Sequence, residues 1–141
     1  MPLYTAIISG SRDKKYDADD FYRNQIFAEL DKLHAVTPFG YVAEGGQTGI
    51  DQVVRTWRHL RQVHGSTFYA DWSNYGPAAG PLRNKRMLDA IVPDVVVLFP
   101  GGLGTNSMRR LAETNGFKTI EISLKDREGP KYNLSIINPQ T

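Results

Sequence analysis

Along the chain, short runs of apolar, largely β-branched residues alternate with longer stretches in which apolar residues recur every three or four positions. Tyr4–Ser9 (YTAIIS) reads as a buried strand entering the loop Gly10-Ser11-Arg12. A helix is predicted from about Ala18 to Leu33, with Phe21, Ile26, Phe27, Leu30 and Leu33 on one face and Asp17 as its cap. Pro38 and Gly40 close the connection to a second strand, Tyr41–Glu44, which runs into Gly45-Gly46-Gln47-Thr48-Gly49. A second helix follows at once. Ile50, Val53, Val54, Trp57 and Leu60 give its apolar face, and Gly65 is expected to end it. Ser66–Tyr69 is predicted as a third strand, and a long loop spans Ala70 to Gly80. Pro81 suits the first turn of a third helix with Leu82, Met87, Leu88 and Ile91 inside. The Val/Leu run within Asp94–Phe99 has the continuous apolar character of an interior parallel strand. It leads into Pro100-Gly101-Gly102-Leu103-Gly104-Thr105, a fourth helix to about Asn115, a stop at Gly116, and a fifth strand over Lys118–Ile122.

Five strands alternating with four helices imply an α/β chain: a Rossmann-like, doubly wound parallel sheet of about five strands in a single domain. Residues 1–123 would form this domain. Residues 124–141 would be a polar C-terminal tail with one edge strand at Tyr132–Ile137. A length of 141 residues fits one such unit. With 17 basic and 15 acidic residues the net charge is only +2, so nothing in the balance singles out a polyanion as partner. Cysteine is absent, which removes disulfides, thiolate zinc sites and thiol nucleophiles. The N-terminal apolar run is too short for a signal peptide, and the run at Ile91–Phe99 is broken by Pro93 and Asp94. The expected location is the cytoplasm, of a bacterial cell or of a phage-infected host.

Three predicted strands end in glycine-bearing loops, Gly10–Arg12, Gly45–Gly49 and Gly101–Thr105. Each loop lets backbone approach a ligand, and each precedes a helix whose free N–H groups and positive dipole end favour an anion. In an open parallel sheet these loops share the carboxyl edge, where ligands bind. None is a P-loop, so nucleoside triphosphate hydrolysis is not indicated. Thr105 can cap its helix or donate its hydroxyl to a phosphate, and Arg12 can pair with one. Arg83 and Asn84 lie in a basic run that opens the third helix. Asp71 and Trp72 sit in the long loop; a carboxylate there can accept from ribose hydroxyls and an indole can stack on a base, although anchoring the loop explains Trp72 and Tyr75 as well. His34, His59 and His64 lack metal-ligand spacing, and no metal or cofactor is expected. Arg55, Arg58 and Arg61 recur every three residues, and a solvated helix face explains them better than a nucleic-acid stripe.

The strings GSR, GGQTGID, ADW with YGPAAGPLRNKRM, and FPGGLGTNSM together resemble the SLOG superfamily, and most of all its stand-alone YspA-like branch. The resemblance covers about Ile7 to Phe117. It implies a nucleotide-derived, phosphate-bearing ligand, of ADP-ribose, cyclic ADP-ribose isomer or NAD type, held by Gly10, Ser11, Arg12, Gly45, Gly46, Asp71, Trp72, Arg83, Asn84, Gly101, Gly102, Gly104 and Thr105. It also implies a homo-oligomer, dimer or larger. The related LOG-type phosphoribohydrolases pair an arginine, matched by Arg83, with a glutamate three residues after PGGxGT. That position is Met108 here, so the family's carboxylate is missing. The expectation leans away from an enzyme and toward a protein that holds, or sequesters, a signalling nucleotide such as an antiviral immune signal. The alternative is a hydrolase of nucleoside 5′-monophosphates using Arg83 with Glu44, Asp51 or Asp71; the second alternative is a nucleic-acid-binding module.

Overall fold

The computed structural model describes residues 3–127. Its elements are β1 (Tyr4–Ser9), α1 (Lys15–Ala18), α2 (Asp20–Val36), β2 (Phe39–Glu44), α3 (Ile50–Leu60), β3 (His64–Thr67), α4 (Trp72–Tyr75), α5 (Ala79–Ile91), β4 (Val95–Leu98), α6 (Leu103–Thr114) and β5 (Thr119–Glu121), with one 3₁₀ turn at Gly76–Ala78. All strand pairs are parallel and the order is β3-β2-β1-β4-β5. The chain therefore winds outward from β1 in one direction and, after returning, from β4 in the other. The reversal lies between β1 and β4, where Ala6, Ile7, Ile8 and Ser9 pair with Val95, Val96, Val97 and Leu98. This is the single-domain Rossmann-like α/β fold that the alternating pattern predicts.

Two apolar layers sandwich the sheet. Ile8, Ile26, Leu30, Val42, Val54 and Trp57 belong to the layer under α2 and α3. Ile7, Ala43, Met87, Leu98 and Met108 belong to the layer under α5 and α6. Neighbouring residues of the three central strands, such as Ile7 and Ile8, Val42 and Ala43, and Val96 and Val97, enter opposite layers, as the two-residue period of a strand requires. Among the described residues, no helix is long and apolar enough to cross a membrane.

Several local expectations need correction. The cap of α2 is Asp19, whose side chain accepts from the Phe21 N–H at 2.9 Å. Asp17 instead crosses to the loop after β2. Helix α3 ends at Leu60, five residues before Gly65, with Gln62 taking the positive φ of 57°. Gly65 lies inside β3, where a Cβ would fall 1.9 Å from the Val42 carbonyl oxygen and 2.5 Å from Arg58 Cδ. Leu60 and Leu82, expected inside, are exposed. Arg83 and Asn84 take the buried positions of α5 beside Met87 and Leu88. The segment expected as a loop after β3 contains α4 and the 3₁₀ turn. Gly116 does end α6, at φ 77°.

Beyond β5 the described tail returns to α2. The Lys125 N–H donates to Gln25 Oε1 at 2.8 Å, and the Arg127 guanidinium meets the Asp19 carboxylate. The edge strand expected at Tyr132–Ile137 lies outside the described residues.

Candidate functional site at the carboxyl edge of the sheet

The three glycine loops do come together at one edge, but they are not equivalent. The loop after β2 is stitched to the protein itself. Its Gly46 N–H donates to Glu44 Oε2 at 2.7 Å, Gln47 N–H to Asp51 Oδ2 at 3.2 Å, Gly49 N–H to Asp17 Oδ2 at 2.6 Å, and Ile50 N–H to the Ser11 carbonyl at 2.9 Å. The Thr48 hydroxyl adds a bond to the Arg12 carbonyl at 2.7 Å. Gly49 stands at φ 78°, and a Cβ there would lie 2.4 Å from the Ser11 carbonyl oxygen. Four N–H groups that an anion would need are thus already taken, so this loop supports the neighbouring one instead of offering a cradle.

The loops after β1 and β4 flank the reversal point. They are joined by the Ser11 N–H, which donates to the Pro100 carbonyl at 2.8 Å. Gly101 leaves the space into which Thr105 turns: a Cβ on Gly101 would fall 2.0 Å from Thr105 Oγ1 and 3.1 Å from the Ser11 nitrogen. Helix α6 has no side-chain cap. Thr105, only 3% exposed, buries a hydroxyl that finds no partner among the described residues. Gly102 and Gly104 are exposed, with nothing within 4 Å of an added Cβ. Asn84 Nδ2 anchors the first turn of α6 by donating to the Gly104 carbonyl at 3.1 Å. An uncapped helix start, an unpaired buried hydroxyl and open glycines form an anion-binding geometry.

Beneath the β2 loop lies a buried charged group. Glu44 is fully buried, and its carboxylate accepts from Gly46, from Arg55 Nη1 at 3.1 Å and from the Thr67 hydroxyl. Arg83 is 6% exposed; its Nη1 donates to the Gly45 carbonyl, and its Nε to Asn84 Oδ1 at 2.8 Å. Gly45 is wedged between Arg83 and Asp51, since a Cβ would sit 2.5 Å from Arg83 Nη1 and 3.1 Å from Asp51 Oδ2. Burial, and then the neighbouring Glu44 carboxylate, push the Asp51 carboxyl up to about 7, against the Gln47 N–H and the two arginines. Asp51 is therefore poised to hold a proton near neutrality. Arg83, matched by resemblance to a catalytic arginine, holds the Gly45 carbonyl and so shapes the loop.

Asp71 and Trp72 lie outside that group. Asp71 caps α4, bonding the Ser73 hydroxyl at 3.0 Å and Asn74 Nδ2 at 2.7 Å, and these bonds, that to Asn74 first, hold its pKa below the ordinary value. The Arg12 guanidinium lies 5.7 Å from the Trp72 ring centroid. Trp72 thus bridges the first loop and α5, where its Cη2 would be 3.2 Å from a Cβ on Gly80. Met108, where the resemblance would place a glutamate, is fully buried in the layer under α6.

Of the three arginines expected on a solvated face, Arg61, just past α3, is exposed, whereas Arg55 and Arg58 are not. Arg55 pairs with Glu44, Arg61 with Asp31 at 2.9 Å, and Arg58 is buried. Among the described residues, no three His, Asp or Glu side chains converge as metal ligands. Two shallow grooves of about 410 and 400 Å³ lie on the outer faces of α5 and α6, lined by residues such as Lys85, Asp89, Arg110 and Thr114, away from the loops.

Comparison with known proteins bears on the fold and the family. The chain is 36% identical over 106 residues to the Gene 61 protein of Mycobacterium phage D29, covering 70% of this chain and 83% of that protein. The X-ray structure of TM1055, a structural-genomics target, superposes with a TM-score of 0.65 over 83% of this chain and 72% of its own, at 18% identity, which establishes likeness of fold. A model of the YspA, cpYpsA-related SLOG family matches residues 6–75, from β1 through α4. The chain belongs to the YspA, cpYpsA-related SLOG family, a nucleotide-related group of small-molecule-binding domains.

Proposed function

We propose that this protein binds a nucleotide-derived, phosphate-bearing small molecule at the carboxyl edge of its sheet and holds it without turning it over. The observation that carries the reading is the Thr105 hydroxyl. It is buried, unpartnered and set in the uncapped first turn of α6, facing Gly101 and the Ser11 nitrogen. A buried hydroxyl without a partner is costly, and a phosphate oxygen supplies the missing acceptor. Ser11, Arg12, Gly102 and Gly104 complete the contact. ADP-ribose, its cyclic isomers and NAD are the ligands first in line. A relative encoded by a phage fits a sink that removes a signalling nucleotide during infection, in the cytoplasm of the infected cell. The reading includes a homo-oligomer, whose mass light scattering gives directly.

The test is to incubate the purified protein with AMP, NAD, ADP-ribose and cyclic ADP-ribose isomers, remove unbound material, denature and identify what is released by mass spectrometry. One compound recovered intact is the expected result. Gly102→Trp should abolish recovery while leaving the melting temperature unchanged, because that Cβ meets open space. Retained binding by this variant would place the ligand elsewhere.

One observation favours the second reading, hydrolysis of an N-glycosidic bond. Asp51 holds a proton near neutrality beside Glu44, and a carboxylic acid there suits the protonation of a leaving base. Release of free base, lost in Asp51→Asn, would establish the hydrolase.

A further inference from the structure

The surface exposes three large aromatic side chains among the described residues, Tyr69, Trp72 and Tyr75, and all three follow β3 at the carboxyl edge. Two are ordinary in their surroundings: Trp72 is engaged by Arg12 and packs near Gly80, and Tyr75 closes the short α4. Tyr69 is different. The Cδ1–Cε1 side of its ring rests on Gly46, where a Cβ would fall 2.6 Å from Cδ1, and Thr67 Cγ2 closes in at 2.9 Å from the same point. Its carbonyl is held by Arg86 Nη2 at 2.8 Å. The residue is nevertheless 68% exposed. A ring fixed by backbone on one side and left to solvent on the other is a preorganised surface, which a flat ligand group can cover at little cost in ordering.

Its place in the sheet gives the surface a use. β3 lies two strands from β1, about 10 Å along the carboxyl edge. A nucleoside monophosphate with its phosphate at Ser11 and Thr105 can direct its base along this edge toward β3, whereas a bare sugar phosphate carries no ring to place there. The carboxylate at the end of β2, where a dinucleotide-binding sheet recruits an acid for ribose, is Glu44. It is fully buried and saturated by Gly46, Arg55 and Thr67, so it has nothing to offer a sugar.

We propose that Tyr69, seated on Gly46, is the platform on which the ligand's base stacks, opposite the phosphate site at the start of α6. The inference rests on the proposed anion site and adds the base end to it. Recognition here is by π-surface, so the site distinguishes a nucleotide from a sugar phosphate and tolerates different bases.

The experiment is calorimetric titration of AMP and ribose 5-phosphate into the wild type, Tyr69→Ala and Tyr69→Phe. AMP should bind the wild type at least tenfold more tightly than ribose 5-phosphate. Tyr69→Ala should remove that advantage and leave ribose 5-phosphate affinity unchanged, while Tyr69→Phe keeps both values. An AMP advantage that survives in Tyr69→Ala would overturn the platform, as would an equal loss for both compounds or a change of oligomeric mass in the alanine variant. Wild-type protein that binds neither compound would instead remove the anion site, and the platform with it.

Discussion

Thr105 and Asp51 carry opposite kinds of unfinished chemistry. Thr105 buries a hydroxyl with no acceptor, a state that costs about 1–3 kcal/mol in a folded protein. Thr105→Val keeps the shape and removes the orphan. The variant should be more stable than the wild type by about 1 kcal/mol in urea unfolding, yet bind phosphate-bearing ligands more weakly. Stability and affinity that fell together would assign the hydroxyl a purely structural bond. Asp51 binds its proton more tightly folded, at about 7, than unfolded, near 3.8. Its contribution to stability is therefore full below about pH 4 and is lost as pH rises toward 7, with a slope of up to about 1.4 kcal/mol per pH unit. Urea midpoints measured across that window should decline in the wild type and stay flatter in Asp51→Asn. An identical decline in both would assign the proton to another group.

At the scale of elements, the strands and glycine loops were legible because apolar runs and Gly clusters report burial and tight turns directly. Helix ends were less so. Gly65 looks like a terminator, but it serves β3, where the Val42 carbonyl and Arg58 leave no room for a side chain. The buried Arg83 and exposed Leu82 invert the usual hydropathy order, because a guanidinium bonded to the Gly45 carbonyl and Asn84 is satisfied inside. Nor does the string GGQTGID reveal that its N–H groups are taken: Asp17 and Ser11 are distant in sequence, and only the folded turn brings the nearby Glu44 and Asp51 carboxylates back onto the loop. Tyr69 was missed for a related reason: within the sequence it is the end of a strand, and only its seat on Gly46 marks it. Helix α5 carries a prediction of its own. It ends at Val92, a β-branched residue held at φ 46° before Pro93 and 64% exposed. Val92→Gly should stabilise the protein by about 1 kcal/mol, seen as a rise of about 2–4 °C in melting temperature. A fall would show that the Val92 side chain contributes more than its backbone strains.

For the whole molecule, the order β3-β2-β1-β4-β5 decides which loops matter, and the sequence contains no record of it. Length and alternation limit the choice to a wound parallel sheet. Placing the first and third loops side by side requires the pairing of β1 with β4. Because the proposed anion site joins both wings of the sheet, occupancy should stabilise the molecule as a unit. Inorganic phosphate should raise the melting temperature of the wild type in proportion to the logarithm of its concentration above the dissociation constant, and should not raise that of Gly102→Trp. Equal shifts in both would indicate general salt stabilisation.

Met108 has an evolutionary consequence. The side chain is sealed in the layer formed by Ile7, Met87, Leu98 and Ala112, so a glutamate placed there by one substitution would drive its carboxylate into apolar packing. Methionine fills the layer as it stands, so a carboxylate at 108 would have to wait until several of those neighbours had changed.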